Sequence, residues 1–226
     1  MVFSILTLFF GVPGCGKTTV LTALAQKEIK RIKRGNSKYE RVLTNFECEG
    51  CYVIDFHDLG VYDIQNSLIL LDEITVDADN RDFKNFKKQS VEFFVYHRHY
   101  YNDIIMATQQ YDAVDKKIRN LTQNLFSVKK GYVLPFIKCK RIFRIVDIDE
   151  NTHDIVVGYR FANLHEIFLS INPLLNKFLG RITYRVFAPK YWKFFDSHCQ
   201  PLNLQKFTYK KWHERGFENG KSSSMV

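Results

Sequence analysis

Between Gly11 and Thr18 the chain reads Gly-Val-Pro-Gly-Cys-Gly-Lys-Thr, the G-x-x-x-x-G-K-[ST] spacing of a phosphate-binding loop. Each residue type meets a need of a polyphosphate. Glycines at 11, 14 and 16 let the backbone curl so that successive N–H groups face phosphate oxygens, and the amino end of a following helix adds partial positive charge. Lys17 supplies a point charge to the β and γ phosphates, and the Thr18 hydroxyl is expected in a magnesium shell. The nucleotide-binding stretch is therefore Gly11, Pro13, Gly14, Cys15, Gly16, Lys17, Thr18 and Thr19, with ATP and Mg2+ as the expected cofactors.

A phosphate loop needs an acidic partner on another strand tip. Leu68 to Leu71 is a short apolar run that ends in Asp72-Glu73. Asp72 is placed to hold the magnesium through water, and Glu73, one residue on, to orient an attacking water as general base. A consecutive Asp-Glu favours hydrolysis over transfer to an acceptor, since water is what a glutamate activates. A further apolar run, Asp103 to Thr108, ends in Gln109, which is read either as a sensor of the γ phosphate or as a strand-terminal polar residue turned to solvent.

These residues require particular elements around them. Phe3 to Phe10 reads as a buried strand, and Lys17 to about Arg34 as a helix whose cations gather late and which stops at Gly35-Asn36. Arg41 to Phe46, Ser67 to Leu71 and Asp103 to Thr108 read as strands, with a helix expected over Asp82 to Tyr101. Strands alternating with helices predict an α/β P-loop NTPase fold: a mostly parallel sheet of the additional-strand class, helices covering both faces. In that class the 103–108 strand lies between the loop's strand and the Asp72 strand.

After Leu121 the pattern turns antiparallel. Strands are expected at Phe126 to Phe136, Lys140 to Asp147 and Asp154 to Phe161, with a hairpin loop at 149–152. A helix interrupted at Pro173 is expected over Leu164 to Leu179, and a frayed end from Gly216. The expected division is an ATPase core over 1–125 and a β-rich, helical C-terminal appendage over 126–226 packed on it, either as edge strands of the same sheet or as a small accessory module.

The 226 residues are 46% hydrophobic, enough for a real core. Thirty-three Lys and Arg against 24 Asp and Glu leave a net charge of +9, which favours polyanions: nucleic acid, an anionic membrane surface or the nucleotide itself. A basic protein without a polyanion partner is the other reading. Five cysteines, an odd number, and no secretory leader point to reduced thiols inside a cell. No apolar run approaches the ~20 residues of a spanning helix.

The segment His97-Arg98-His99-Tyr100, then Asp103-Ile104-Ile105, Thr108-Gln109 and Ile118-Arg119, at this distance after Leu71-Asp72-Glu73, resembles the Zot family of phage ATPases. Asn80-Arg81 and Phe93-Phe94 are also similar to its pattern, and the likeness covers about residues 3 to 130. The resemblance implies a motor of the FtsK and HerA class, working as a ring oligomer, a hexamer, that moves or exports phage DNA during virion assembly. Its implied partners are copies of itself, phage DNA and virion or capsid proteins, in the host bacterium's cytoplasm or peripheral on its inner membrane. Filamentous-phage members continue into a membrane span and a periplasmic tail; this sequence has neither, so the expectation is a motor without an anchor, with a small icosahedral phage's packaging ATPase as the nearest variant. The alternative function is a nucleotide-gated assembly switch or scaffold that moves no DNA; a small-molecule kinase is a third, disfavoured by the Asp-Glu pair.

Ring ATPases complete the site with an arginine from the neighbouring subunit, because a cation offsets charge building on the γ phosphate. Arg98 and Arg119 are the candidates, then Arg81, each alternatively a surface or interface ion pair. Cys48-Glu-Gly-Cys51 has the spacing of a zinc or redox pair, and a zinc site needs helpers such as His57, Cys139 or Cys199; a plain loop pair is the other reading. His97 and His99 read as site-support or structural residues. The tail from Tyr184 to Trp212 interleaves Lys and Arg with Tyr, Phe and Trp, which suits single-stranded nucleic acid, a membrane interface or packing under the domain.

Overall fold

The computed structural model describes residues 5–74, 88–112, 114, 116–131, 134–148, 155–163, 166 and 182–195. Its centre is β1 (Leu6–Phe10), all but the last residue buried, because a strand covered on both faces needs a continuous apolar run. Helix α1 (Lys17–Lys33) follows the glycine loop and gathers Lys30, Arg31 and Lys33 at its carboxyl end, where cations suit the helix dipole. Then come β2 (Arg41–Thr44), the two-residue β3 (Tyr52–Val53), β4 (Ser67–Leu71), α2 (Lys88–Tyr96), β5 (Asp103–Thr108) and α3 (Lys116–Leu121). Four further strands complete the sheet: β6 (Asn124–Lys130), β7 (Phe136–Ile148), β8 (Ile155–Phe161) and β9 (Thr183–Phe187).

The strand order is β3-β2-β4-β5-β1-β6-β7-β8, with β9 also on β7. Every pair from β3 through β6 is parallel, and β7 pairs antiparallel with β6, β8 and β9. β5 thus lies between β1 and β4, the arrangement expected of the additional-strand class, so the tips of β1, β5 and β4 stand side by side. Ligands of open parallel sheets bind at those carboxyl ends. One apolar cluster, including Leu6, Leu8, Ile69, Phe93, Phe94 and Ile118, fills the face under α2 and α3. A second, including Phe9, Val20, Leu21, Phe126, Val128 and Ile137, fills the face under α1.

The tail extends the same sheet, but it turns antiparallel only at β7: β6, expected to be antiparallel, runs in parallel register beside β1, from Thr7↔Asn124 to Phe10↔Ser127. The strand expected over 126–136 divides instead into β6 and the start of β7. The chain turns at Gly131, whose N–H donates to Phe136 O (2.8 Å) and where a Cβ would stand 2.8 Å from Leu134 O. The helix expected over 82–101 is described from Lys88 and ends at Tyr96, beyond which His97 to Tyr101 form a turn with Tyr101 at φ 55°. β3 and β9 were not expected as strands. Two residues carry no periodicity, and in β9 the aromatic Tyr184 packs edge-on to Phe9 and Phe126. For Tyr184 the packing reading holds, while Arg185, Phe187 and Trp192 are exposed; residues 196–212 of the tail lie outside the described residues. So do the hairpin loop 149–152, the helix at 164–179 apart from Glu166, the segment 216–226, and Arg81. Among the described residues no helix is long and apolar enough to cross a membrane.

Candidate nucleotide site

The phosphate loop leaves β1 at Phe10 and is tied to the neighbouring tip by Gly11 N–H, which donates to Thr108 O (3.3 Å). Gly14 and Gly16 adopt φ of 70° and 97°, the left-handed region that residues with a Cβ rarely enter. Gly16 caps α1 with no side-chain hydrogen bond, and the first turn carries no acidic residue. Its amino-end N–H groups, Thr19's included, are therefore free of intrahelical and carboxylate partners, an anion site of the ordinary helix-terminus kind. The Thr19 side chain itself is buried, so only its backbone faces a ligand. Val12, Pro13 and Gly14 form the exposed crest of the loop, while Cys15 is buried beneath it.

Lys17, 5% exposed, folds its ammonium back onto the loop, donating to Gly11 O (3.0 Å) and Val12 O (3.3 Å). The Thr18 hydroxyl donates to Asp72 Oδ2. Asp72 sits at the β4 tip, and burial pushes its carboxyl above the usual carboxylate range, against the lowering effect of that hydrogen bond; the Glu73 charge raises it further. The nearby Lys17 charge only partly offsets this, and the Asp72 oxygen together with the Thr18 hydroxyl forms a hard-oxygen donor set that fits magnesium.

Glu73 is exposed, at φ 50°. That left-handed conformation in a non-glycine residue costs roughly 1–3 kcal/mol and turns the side chain out of the strand line. Its N–H donates to Asp72 Oδ1 (3.0 Å), and its Oε1 accepts from Gln109 Nε2 (2.9 Å). Gln109, half-buried, thus reaches along the tips to Glu73 at the exposed edge of the site. Thr108 turns the chain there: its hydroxyl donates to Gln110 O (2.9 Å) and accepts from Gln110 N–H (3.2 Å).

The sequence reading missed Asn45, just past β2. Its Oδ1 accepts the Asp72 N–H (2.7 Å) and its Nδ2 donates to Asp72 O (2.8 Å), a two-point clamp on the backbone that presents the carboxylate. The available signal was its place at the tip of a strand next to β4, where parallel sheets put their ligands. Also unread was a second duty of the glycines. A Cβ on Gly16 would come 2.3 Å from Ile137 Cδ1, and one on Gly11 2.6 Å from Val128 O, so β6 and β7 press directly on the loop.

The two arginines part company. Arg119 is held within its own chain, donating to Asp112 Oδ1 (2.7 Å) with its guanidinium 5.2 Å from the Tyr111 ring centre. Tyr111 in turn meets Tyr159 hydroxyl to hydroxyl (2.9 Å), and burial, then that contact, pushes its phenol up to about 12. Arg98 is exposed in the turn before β5, at the opposite end of that strand from Gln109 and so roughly 20 Å from its own phosphate loop. His97 is buried, with Nδ1 on Phe94 O (2.6 Å) and Nε2 without a partner among the described residues. His99 is exposed and packs against Tyr96. Cys48 and Cys51 close a turn, Cys51 N–H donating to Cys48 O (3.0 Å), and a hydrogen bond from the Cys51 thiol holds the Cys48 thiol below its usual range. Both are free thiols, as are Cys15 and Cys139; among the described residues no three metal-ligating side chains converge, and the His57 side chain and Cys199 lie outside them.

The profile of the family described as zonular occludens toxin (Zot) matches residues 14–157. Among solved structures the chain is similar to the N-terminal domain of zonular occludens toxin from Neisseria meningitidis, at 15% identity and a TM-score of 0.45, covering 74% of this chain and 98% of that one. It is also similar to the DNA-packaging ATPase of Sulfolobus turreted icosahedral virus, at 11% identity and a TM-score of 0.41, with 70% and 98% covered. A KaiC-like protein from Pyrococcus horikoshii OT3 is a third, at 12% identity and a TM-score of 0.40, with 69% and 90% covered. No curated protein sequence matches.

Proposed function

The chain belongs to the zonular occludens toxin (Zot) family, and on that premise we propose that it is an ATP-hydrolysing motor of phage virion assembly that moves phage DNA. The observation that carries the hydrolytic part is the Gln109–Glu73 hydrogen bond, which fixes a carboxylate at the mouth of the phosphate loop. ATP phosphates lie over the Gly14–Thr19 amides, with Lys17 swinging from the Gly11 and Val12 carbonyls to the β and γ oxygens. Thr18 and Asp72 would hold Mg2+, which when bound neutralises charge on the β and γ phosphates. Glu73 accepts the proton of the attacking water, and Gln109 orients that carboxylate and reports the state of the γ phosphate. Asn45 keeps Asp72 in line through its backbone.

The ring is part of the proposal. With Arg119 tied to Asp112 and Tyr111, Arg98 is the better donor of a cation to the next subunit's γ phosphate, since it is exposed and its distance from its own loop excludes a role there in cis. The DNA part of the reading rests on family membership and on the net charge of +9. It is tested by phosphate release at low salt, where phosphate contacts are strongest, with and without single- or double-stranded DNA. Stimulation by DNA is expected. Hydrolysis indifferent to both forms would leave a nucleotide-gated switch in its place.

A further inference from the structure

The two faces of the antiparallel strands differ sharply. On the α1 side Val128, Ile137, Cys139 and Val186 are buried with Val20 and Leu21 of the helix. On the other side the cross-strand register places Lys129 of β6 opposite Lys138 of β7, and Lys138 opposite Arg185 of β9. All three are exposed and, among the described residues, none makes an ion pair. Like charges directly opposite one another destabilise a sheet, so three in a row across three strands, ~5 Å apart, need a function outside the fold. Lys140, also exposed, stands two residues along on the same face. The described parts of β6 and β9, and β7 as far as Ile145, contain no Asp or Glu.

Rings flank the cations. The next row toward the start of β7 is the pair Phe136 and Phe187, ring centres 5.3 Å apart, with Phe187 44% exposed. Toward the other end, Phe161 and Tyr159 on β8 are about half exposed on that same face. We infer that this face of β6, β7 and β9 is a docking track for single-stranded nucleic acid, with phosphates on the Lys129–Lys138–Arg185 row and bases on the flanking rings. The inference rests on the DNA-motor reading and gives it a surface. A stripe of cations flanked by rings fits a linear polyanion carrying flat bases better than a bilayer, which asks for an apolar patch rimmed by charge. The track also lies one strand's thickness from the catalytic loop: Ile137, next to Lys138, is the residue that a Cβ on Gly16 would strike.

Fluorescence anisotropy of a labelled single-stranded oligonucleotide, titrated at several salt concentrations, tests this with the full chain. The triple variant Lys129→Gln, Lys138→Gln, Arg185→Gln is expected to bind at least ~10-fold more weakly at low salt, and its log-log salt slope to be shallower by about 2, from three lost contacts at ~0.7 each. Phe187→Ala is expected to weaken binding by roughly 5-fold or more, the lower bound for one lost base stack. Basal ATP hydrolysis without DNA should match wild type, and the triple variant should melt at a higher temperature because three opposed cations are gone, which also shows it folded. Unchanged affinity and slope in the triple variant would overturn the track. DNA stimulating hydrolysis equally in both proteins would overturn the track while leaving the motor reading standing. A wild type that binds no single-stranded oligonucleotide overturns the track, and the motor reading falls with it only if double-stranded DNA is not bound either; charge-dependent binding to anionic phospholipid vesicles in place of the oligonucleotide would overturn the track and assign the face to a membrane.

Discussion

Gln109 Nε2 donates to Glu73 Oε1 across 2.9 Å, joining the tip of β5 to the tip of β4 through side chains alone. Each partner follows a different strand, so the bond forms because β5 runs parallel beside β4. It holds the proposed base although Glu73 is exposed and would otherwise sample many rotamers.

Gln109→Ala is expected to slow ATP hydrolysis by ~10-fold or more with nucleotide affinity little changed, because the carboxylate loses its orientation and the phosphates keep their cradle. If the two residues act as a unit, adding Gln109→Ala to Glu73→Gln costs little beyond Glu73→Gln alone. Steady-state phosphate release from the four proteins of the cycle measures this, and simple additivity would separate their roles.

Asn45→Ala removes two hydrogen bonds and strands both backbone groups of Asp72. A loss of about 1–3 kcal/mol in unfolding free energy follows, together with a raised magnesium requirement. Asn45→Asp is a sharper probe, since it keeps the acceptor for the Asp72 N–H and deletes the donor to the Asp72 carbonyl. Urea unfolding and a magnesium titration of nucleotide binding report the two effects separately.

Gly16→Ala meets two obstacles: φ of 97° and a side chain 2.3 Å from Ile137 Cδ1. Both destabilise the loop, and ATP binding is expected to be lost. Adding Ile137→Ala relieves the collision and leaves the left-handed backbone, worth roughly 1–2 kcal/mol. Partial recovery of stability in the double variant, read by thermal melting, is the expected result; no recovery would mean that the contact with β7 is slack.

His97 supplies the pH dependence. Burial holds its imidazole below the ordinary range, with the hydrogen bond to Phe94 O and the Asp103 carboxylate opposing that shift and Arg98 reinforcing it. A base with a depressed folded pKa takes its proton first in the unfolded chain. Its contribution to stability is therefore whole above about 6.5, the unperturbed value, and shrinks as pH falls toward the folded value. Melting temperatures from pH 8 down to 5 are expected to drop more steeply for the wild type than for His97→Phe, which cannot titrate.

Much of this site was legible in the sequence because the chemistry is local. The loop, Asp72-Glu73 and Gln109 each end an apolar run, and the run itself says that a strand delivers them. Asn45 was not legible, since an asparagine after a strand is also a common turn residue and only the order β2-β4 brings it to Asp72. The cation row was hidden for the same reason. Lys129, Lys138 and Arg185 are far apart in sequence, and only antiparallel register assembles them. Arg119 read either as a donor to a neighbour or as an ion pair, and Asp112 and Tyr111, seven and eight residues back, engage it in the second way across the turn into α3.

The most direct measurement is ATP hydrolysis by Glu73→Gln beside its nucleotide affinity, both with magnesium. Glu73→Gln keeps the Thr18, Asp72 and Lys17 contacts intact, so ATP should bind as in the wild type while phosphate release falls by ~100-fold or more. Full hydrolysis in that variant would contradict a base at the Gln109–Glu73 junction.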